Sequence, residues 1–154
     1  LAAVEAVNEA QKRVLGAKIK ARFGAGLAGR RFAIWGLAFK ANTDDMREAP
    51  SRTLIVELLE AGATLRAYDP AAGGEARKLF AGDSRVAIVD SALAALEGAD
   101  ALAVLTEWRE FRSPDFAAIR EQLKVPAIFD GRNLYDPAVL RGLGFEYYAI
   151  GRRT

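Results

Sequence analysis

The chain contains no cysteine and no histidine among its 154 residues. The first absence excludes a thiolate nucleophile and a disulfide framework. The second removes the usual general base, and the two together remove the ordinary ligands of a zinc site. No apolar stretch approaches the length a membrane-spanning helix needs, and no signal peptide opens the chain, so neither a membrane nor export is expected. An excess of one charge is also missing: 22 Lys and Arg stand against 20 Asp and Glu. The basic pairs Arg30-Arg31 and Arg152-Arg153 are not interleaved with aromatic residues, and they read as solvated surface, not as a nucleic-acid stripe. The single methionine is Met46, and Leu1 already lies inside a helical pattern, as expected of a segment cut from a longer polypeptide.

What is present is a composition 51% apolar, enough for one good core, so the expectation is one domain with an appendage. Leu1, Val4, Val7, Val14, Leu15, Ile19 and Phe23 recur at helical spacings, which predicts a helix from Leu1 to about Phe23. Its apolar arc, with Asn8 and Gln11 inside it, is wider than docking on one core requires. That favours a connecting helix touching a further domain or a second subunit over one lying only on its own domain. Gly24-Ala25-Gly26-Leu27-Ala28-Gly29 then makes a joint.

After the joint, apolar runs alternate with helical patterns. Strands are predicted at Phe32–Trp35, Thr64–Tyr68, Val86–Val89, Ala101–Leu105, Ala127–Phe129 and Glu146–Ile150. Helices are predicted at Leu54–Leu59, with Pro50 in the first turn, then at Glu75–Phe80, Ala92–Leu96, Phe116–Leu123 and Ala138–Leu143. This alternation implies right-handed crossovers and an α/β, Rossmann-like three-layer sandwich, with a six-stranded, mostly parallel sheet preceded by a long N-terminal helix.

The residues just past the predicted strands are Phe39-Lys40, Asp69-Pro70, Thr106-Glu107-Trp108 and Asp130-Gly131-Arg132-Asn133. Polar and charged groups therefore collect at the carboxyl ends of the strands, where open α/β sheets bind ligands, while the opposite ends show turn residues such as Gly62 and Gly98. The first loop, Gly36-Leu37-Ala38-Phe39-Lys40, has one glycine where a dinucleotide fingerprint has three, so an ordinary NAD cradle is not expected there. About ten residues then separate it from Pro50, long enough to reach beyond the domain. Lys40 offers a point charge to a phosphate, and Arg47 and Arg132 can each grip an oxyanion with two N–H groups. Asp44 and Asp45 could be a metal or acid–base pair, but adjacent carboxylates before a helix more often cap it or pair with a neighbour such as Arg47. Asp69 suits either a ribose hydroxyl or an Asp-Pro turn. Trp35 reads as core, and Trp108 reads equally as packing or as a crevice wall.

The segment Gly36–Lys40 with Thr43, Asp45, Arg47 and Pro50, followed by Ala67-Tyr68-Asp69-Pro70, Thr106-Glu107-Trp108, Phe129–Asn133, Gly144-Phe145 and Ile150-Gly151, resembles the UDP-glucose/GDP-mannose dehydrogenase family in its C-terminal, nucleotide-sugar-binding domain. Val7-Asn8 and Gln11-Lys12 resemble the family's central helix, which joins the two halves of the enzyme and forms much of a homodimer contact. The likeness is greatest to the bacterial branch that oxidises UDP-glucose. It implies oxidation of the sugar C6 alcohol to a carboxylate with two NAD, through a cysteine thioester, in a cytoplasmic enzyme of polysaccharide biosynthesis. That cysteine and the NAD-binding domain lie upstream in the family, so this segment alone is expected to be inactive and to hold no catalytic residue. By position, the resemblance makes Phe39, Lys40 and Arg132 contacts of the UDP-sugar and Arg47 a contact of the NAD held by the other domain. Residues 1–28 then form part of the connecting and dimerisation helix with its joint, and residues 29–154 the UDP-sugar-binding domain. Two alternatives stay open: a GDP-mannose or UDP-N-acetyl-hexosamine dehydrogenase, and a non-catalytic interaction module.

Overall fold

The computed structural model describes residues 2–150, with side chains from Lys12 onward. Its elements in chain order are α1 (Ala2–Phe23), β1 (Arg31–Trp35), α2 (Pro50–Glu60), β2 (Thr64–Tyr68), α3 (Gly73–Leu79), β3 (Val86–Ile88), α4 (Ala92–Ala95), β4 (Ala101–Val104), α5 (Arg109–Arg112), α6 (Phe116–Gln122), β5 (Ala127–Asp130), α7 (Pro137–Gly142) and β6 (Glu146–Ala149). Each predicted strand and helix is there, with ends moved by a few residues. The exception is α5, which no sequence pattern announced.

The sheet is ordered β3-β2-β1-β4-β5-β6, and every pairing is parallel. The order reverses between β1 and β4, the place where a crevice opens in a doubly wound fold. Alternation along β1 explains the two-sided core. Phe32 and Ile34 face one cluster with Leu15 and Ile19 of α1 and Leu54, Ile55 and Leu58 of α2. Ala33 and Trp35 face the other, with Phe111 of α5, Ile119 of α6 and Leu140 of α7. Strands buried on both faces need continuous apolar sequence, and β1, β4 and β5 have it.

Two chain-level signals hold as read. Pro50 opens α2 in its first turn, and Gly62, at φ +102°, ends it, with the Ala63 amide donating back to the Leu58 carbonyl. In α1, Leu15 and Ile19 are buried against this domain, Val14 and Phe23 are half-buried, and Arg22 forms an ion pair with Glu146 of β6. The remaining positions of the apolar arc, Leu1, Val4 and Val7, with Asn8 and Gln11, lie outside the side chains described, as does Gly151.

Candidate functional site

The loops that leave β1 and β4 meet at the reversal point and enclose a cleft of about 870 Å³, lined by Lys40, Ala41, Asn42, Glu107, Arg109 and Arg112. Its walls are set by local chemistry that begins one residue after β1. Gly36 adopts φ +100°, and a Cβ there would stand 2.8 Å from the Thr106 backbone nitrogen and closer still to its hydroxyl. Only glycine lets the two loops lie this close.

Asp69, at the end of β2 and 5% exposed, holds the next turn. One carboxylate oxygen accepts from the amides of Leu37 (2.7 Å) and Ala38 (3.0 Å) and from Trp108 Nε1 (3.3 Å), and the other accepts from the amides of Ala71 and Ala72 (2.8 Å each). Both oxygens are occupied within the protein. Of its two expected roles, the ribose contact is displaced by the turn, and Trp108 is a tether as well as packing. Ser51 adds a hydrogen bond from its hydroxyl to the Leu37 carbonyl (2.7 Å), and Met46 is buried. The long β1–α2 loop is therefore fastened at its start, middle and end.

Asp130, fully buried at the end of β5, plays the same part on the other side. It accepts from the amides of Arg132 (2.9 Å), Leu134 (2.7 Å) and Tyr135 (3.2 Å) and from the Tyr147 hydroxyl (2.7 Å). This presents Arg132, whose guanidinium donates to the carbonyls of Leu105 and Phe39 and lies 3.3 Å from the Glu107 carboxylate. Arg132 thus braces the β1, β4 and β5 loops against one another.

Predicted site residues are brought together in part. Lys40 Nζ sits 5.3 Å over the Phe39 ring, and Arg132 bonds the Phe39 carbonyl, so these three share one corner of the rim. Phe39 and Arg47 line a separate depression of about 550 Å³ with Asp45, Glu48 and Arg52, to which Lys40 does not contribute. Arg47 is 87% exposed, and its guanidinium is chelated by Asp45 at 2.8–3.2 Å. That ion pair, with the Arg47 amide, holds the Asp45 carboxyl down at about 2. Asp45 pairs with its neighbour and α2 has no side-chain cap, as the pairing reading of the two carboxylates requires. Sequence reasoning missed Arg109 and Arg112. A four-residue helix carries too little periodicity to be seen, and the one available signal was their closeness to Glu107-Trp108.

A family model described as the UDP-glucose/GDP-mannose dehydrogenase family, UDP binding domain, matches residues 33–137. The chain belongs to this family. It is 47% identical over 99% of its length to a UDP-glucose 6-dehydrogenase of Pseudomonas aeruginosa and 42% identical over 96% to one of Rhizobium meliloti, spanning about a third of each relative (34% and 33%). Among solved structures, a UDP-glucose dehydrogenase from Pyrobaculum islandicum superposes with a TM-score of 0.77 at 30% identity, over 95% of this chain and 31% of that one. The chain therefore corresponds to the UDP-binding part of such enzymes, and the cleft lies within the matched residues.

Proposed function

We propose that this chain is the substrate-holding part of a UDP-glucose 6-dehydrogenase, whose whole polypeptide oxidises UDP-glucose to UDP-glucuronate with two NAD. The observation that carries the reading is the cleft at the β1/β4 reversal, where Lys40, Arg109 and Arg112 have no ion pair among the described residues. Three open cations in one crevice suit a diphosphate, and the family match supplies the nucleotide. Lys40 meets the phosphates as a point charge, Phe39 packs beside the bound nucleotide, and Arg132 contributes charge while keeping the three loops in register.

The residues here do not fit a dinucleotide cradle. Gly36 stands alone, and the start of α2 is crossed by the Leu37–Ser51 hydrogen bond, so we assign NAD to a domain upstream, with Arg47 as this chain's contact to it. This chain then supplies position and charge. Residues 1–28 act as part of the connecting helix and joint, pairing two copies into a homodimer, and residues 29–154 form the UDP-sugar domain, working in the cytoplasm for polysaccharide biosynthesis.

Calorimetry with UDP tests the reading. Lys40→Gln should weaken binding by about 1 to 3 kcal/mol, the worth of a charged hydrogen bond. Unchanged affinity in that variant contradicts it.

A further inference from the structure

We propose that α5 is a dedicated anion-binding element: Arg109 and Arg112 clamp the diphosphate of the nucleotide in the cleft they share with Lys40. This rests on the nucleotide reading above and adds to it two residues and an element.

The argument starts from how firmly a four-residue helix is held. Phe111 is fully buried and stacks on Trp35, with ring centroids 5.1 Å apart. The Tyr135 hydroxyl donates to the Phe111 carbonyl (2.6 Å), which ties α5 to the β5 loop. The Tyr68 hydroxyl donates to the Glu110 carboxylate (2.8 Å), which ties it to the end of β2. Burial, and then Glu110, push the Tyr68 hydroxyl up to about 12, so this bond persists at neutral pH. The two central residues of α5, buried Phe111 and exposed Glu110, thus fasten it to three elements.

The two flanking residues, Arg109 and Arg112, line the cleft. At a spacing of three they share a helix face. Neither has an ion pair or hydrogen bond among the described residues. An ordinary exposed turn would need no such anchoring, and arginines with acidic neighbours usually find them. The carboxylate within the cleft, Glu107, is already engaged by Arg132 at 3.3 Å and by the Ala41 amide at 3.4 Å. Its charge is answered within the protein, which leaves Lys40, Arg109 and Arg112 as the charges lining the cleft that are unpaired among the described residues. Two guanidinium forks on an anchored backbone and one ammonium lining the same cleft form a three-point grip on a pyrophosphate, with the backbone ordered beforehand and the exposed side chains ordered by the ligand.

The test is calorimetric titration of the 154-residue chain with UDP, UMP and uridine. The variants are Arg109→Gln, Arg112→Gln, their double, and Arg141→Gln in the last turn of α7 as a control of equal charge change. Each single variant should weaken UDP by about 5- to 10-fold and the double by about 50-fold, as for charge-assisted contacts to phosphate. Uridine should be unaffected, UMP affected less than UDP, and Arg141→Gln should bind UDP as the parent chain does. Added salt should weaken UDP binding in the parent chain more than in the double variant. If the double variant melts at a lower temperature, the Lys pair Arg109→Lys and Arg112→Lys, which keeps the charge and loses the forks, should restore part of the affinity and remain weaker than the parent chain. Parent-like UDP affinity in the double variant, with loss in Lys40→Gln, overturns the role of α5 and leaves the nucleotide reading standing. No UDP binding by the parent chain overturns both.

Discussion

The two ends of the strands both carry arginines; at the carboxyl ends Arg47 and Arg132 are answered by Asp45 and Glu107, and those lining the cleft are not, among the described residues. At the amino ends of the strands, Arg22 pairs with Glu146 (2.6 Å), Arg30 with Asp100 (3.2 Å), and Arg85 with Asp83 (2.7 Å), while the Arg31 amide takes the second Asp100 oxygen. At the carboxyl ends, Lys40, Arg109 and Arg112 face a common cleft without such partners among the described residues. Charge density alone does not separate the edges. The amino edge, expected to show mainly turn residues, is charged as well, and pairing is what distinguishes a surface held by its own charges from one that can hold a ligand's.

Removing the buried carboxylates at each edge should sharpen the contrast most strongly. Asp69→Ala leaves the amides of Leu37 and Ala38 without their acceptor and should cost about 3 to 5 kcal/mol in urea unfolding, with loss of UDP binding as the β1 loop comes free. Asp100→Ala, at the other edge, should lower stability and leave UDP affinity intact in the folded fraction. Equal effects of the two on UDP binding would break the comparison.

Gly36→Ala comes next. It places a methyl against the Thr106 backbone at a φ that alanine resists, and should destabilise by about 2 to 3 kcal/mol while pushing the β1 and β4 loops apart. A variant as stable as the parent would show that the close approach is not required.

Arg30→Gln probes the paired edge directly. Arg30 is itself exposed and the Arg31 amide still answers the buried Asp100 carboxylate, so a stability loss of about 1 to 2 kcal/mol, smaller than for Asp100→Ala, and no change in UDP binding are expected, against a clear loss of binding for Lys40→Gln.

The smallest effect concerns Arg47, a cation on the binding edge that is nonetheless paired. Carbon-detected NMR should find the Asp45 carboxyl titrating at about 2, and Arg47→Ala should raise it only part of the way to the ordinary carboxylate value, because the amide of residue 47 still donates to it. Because the folded value is depressed, the pair favours the fold above the ordinary carboxylate range and ceases to do so as pH falls towards 2. An unshifted Asp45 in the parent chain would mean that Arg47 is as open as Lys40.

Much of this was legible in the sequence because the relevant signals are local. The apolar runs of β1, β4 and β5, the Pro50 start and the Gly62 stop are each written in a few consecutive residues. Lys40 and Arg132 could be placed at one rim from strand ends alone. Roles that depend on distant partners could not be read the same way. Asp69 looked as apt for a ribose as for a turn until the loops of β1 and β2 were seen to fill both its oxygens. The α5 helix exists because Trp35 and Tyr135, tens of residues away in sequence, receive Phe111. Phe39 and Arg47 line a different depression from Lys40, although Phe39 and Lys40 are neighbours in sequence, and residue type alone does not record this.

Amide NMR of the chain titrated with UDP bears most directly on the central claim, that open cations at the β1/β4 reversal hold a nucleotide diphosphate. The resonances of Lys40, Ala41, Asn42, Glu107, Arg109 and Arg112 should move together and saturate, with those of Arg30, Arg31 and Arg85 unmoved. Saturable shifts confined to the amino edge, or none at the cleft, would contradict it.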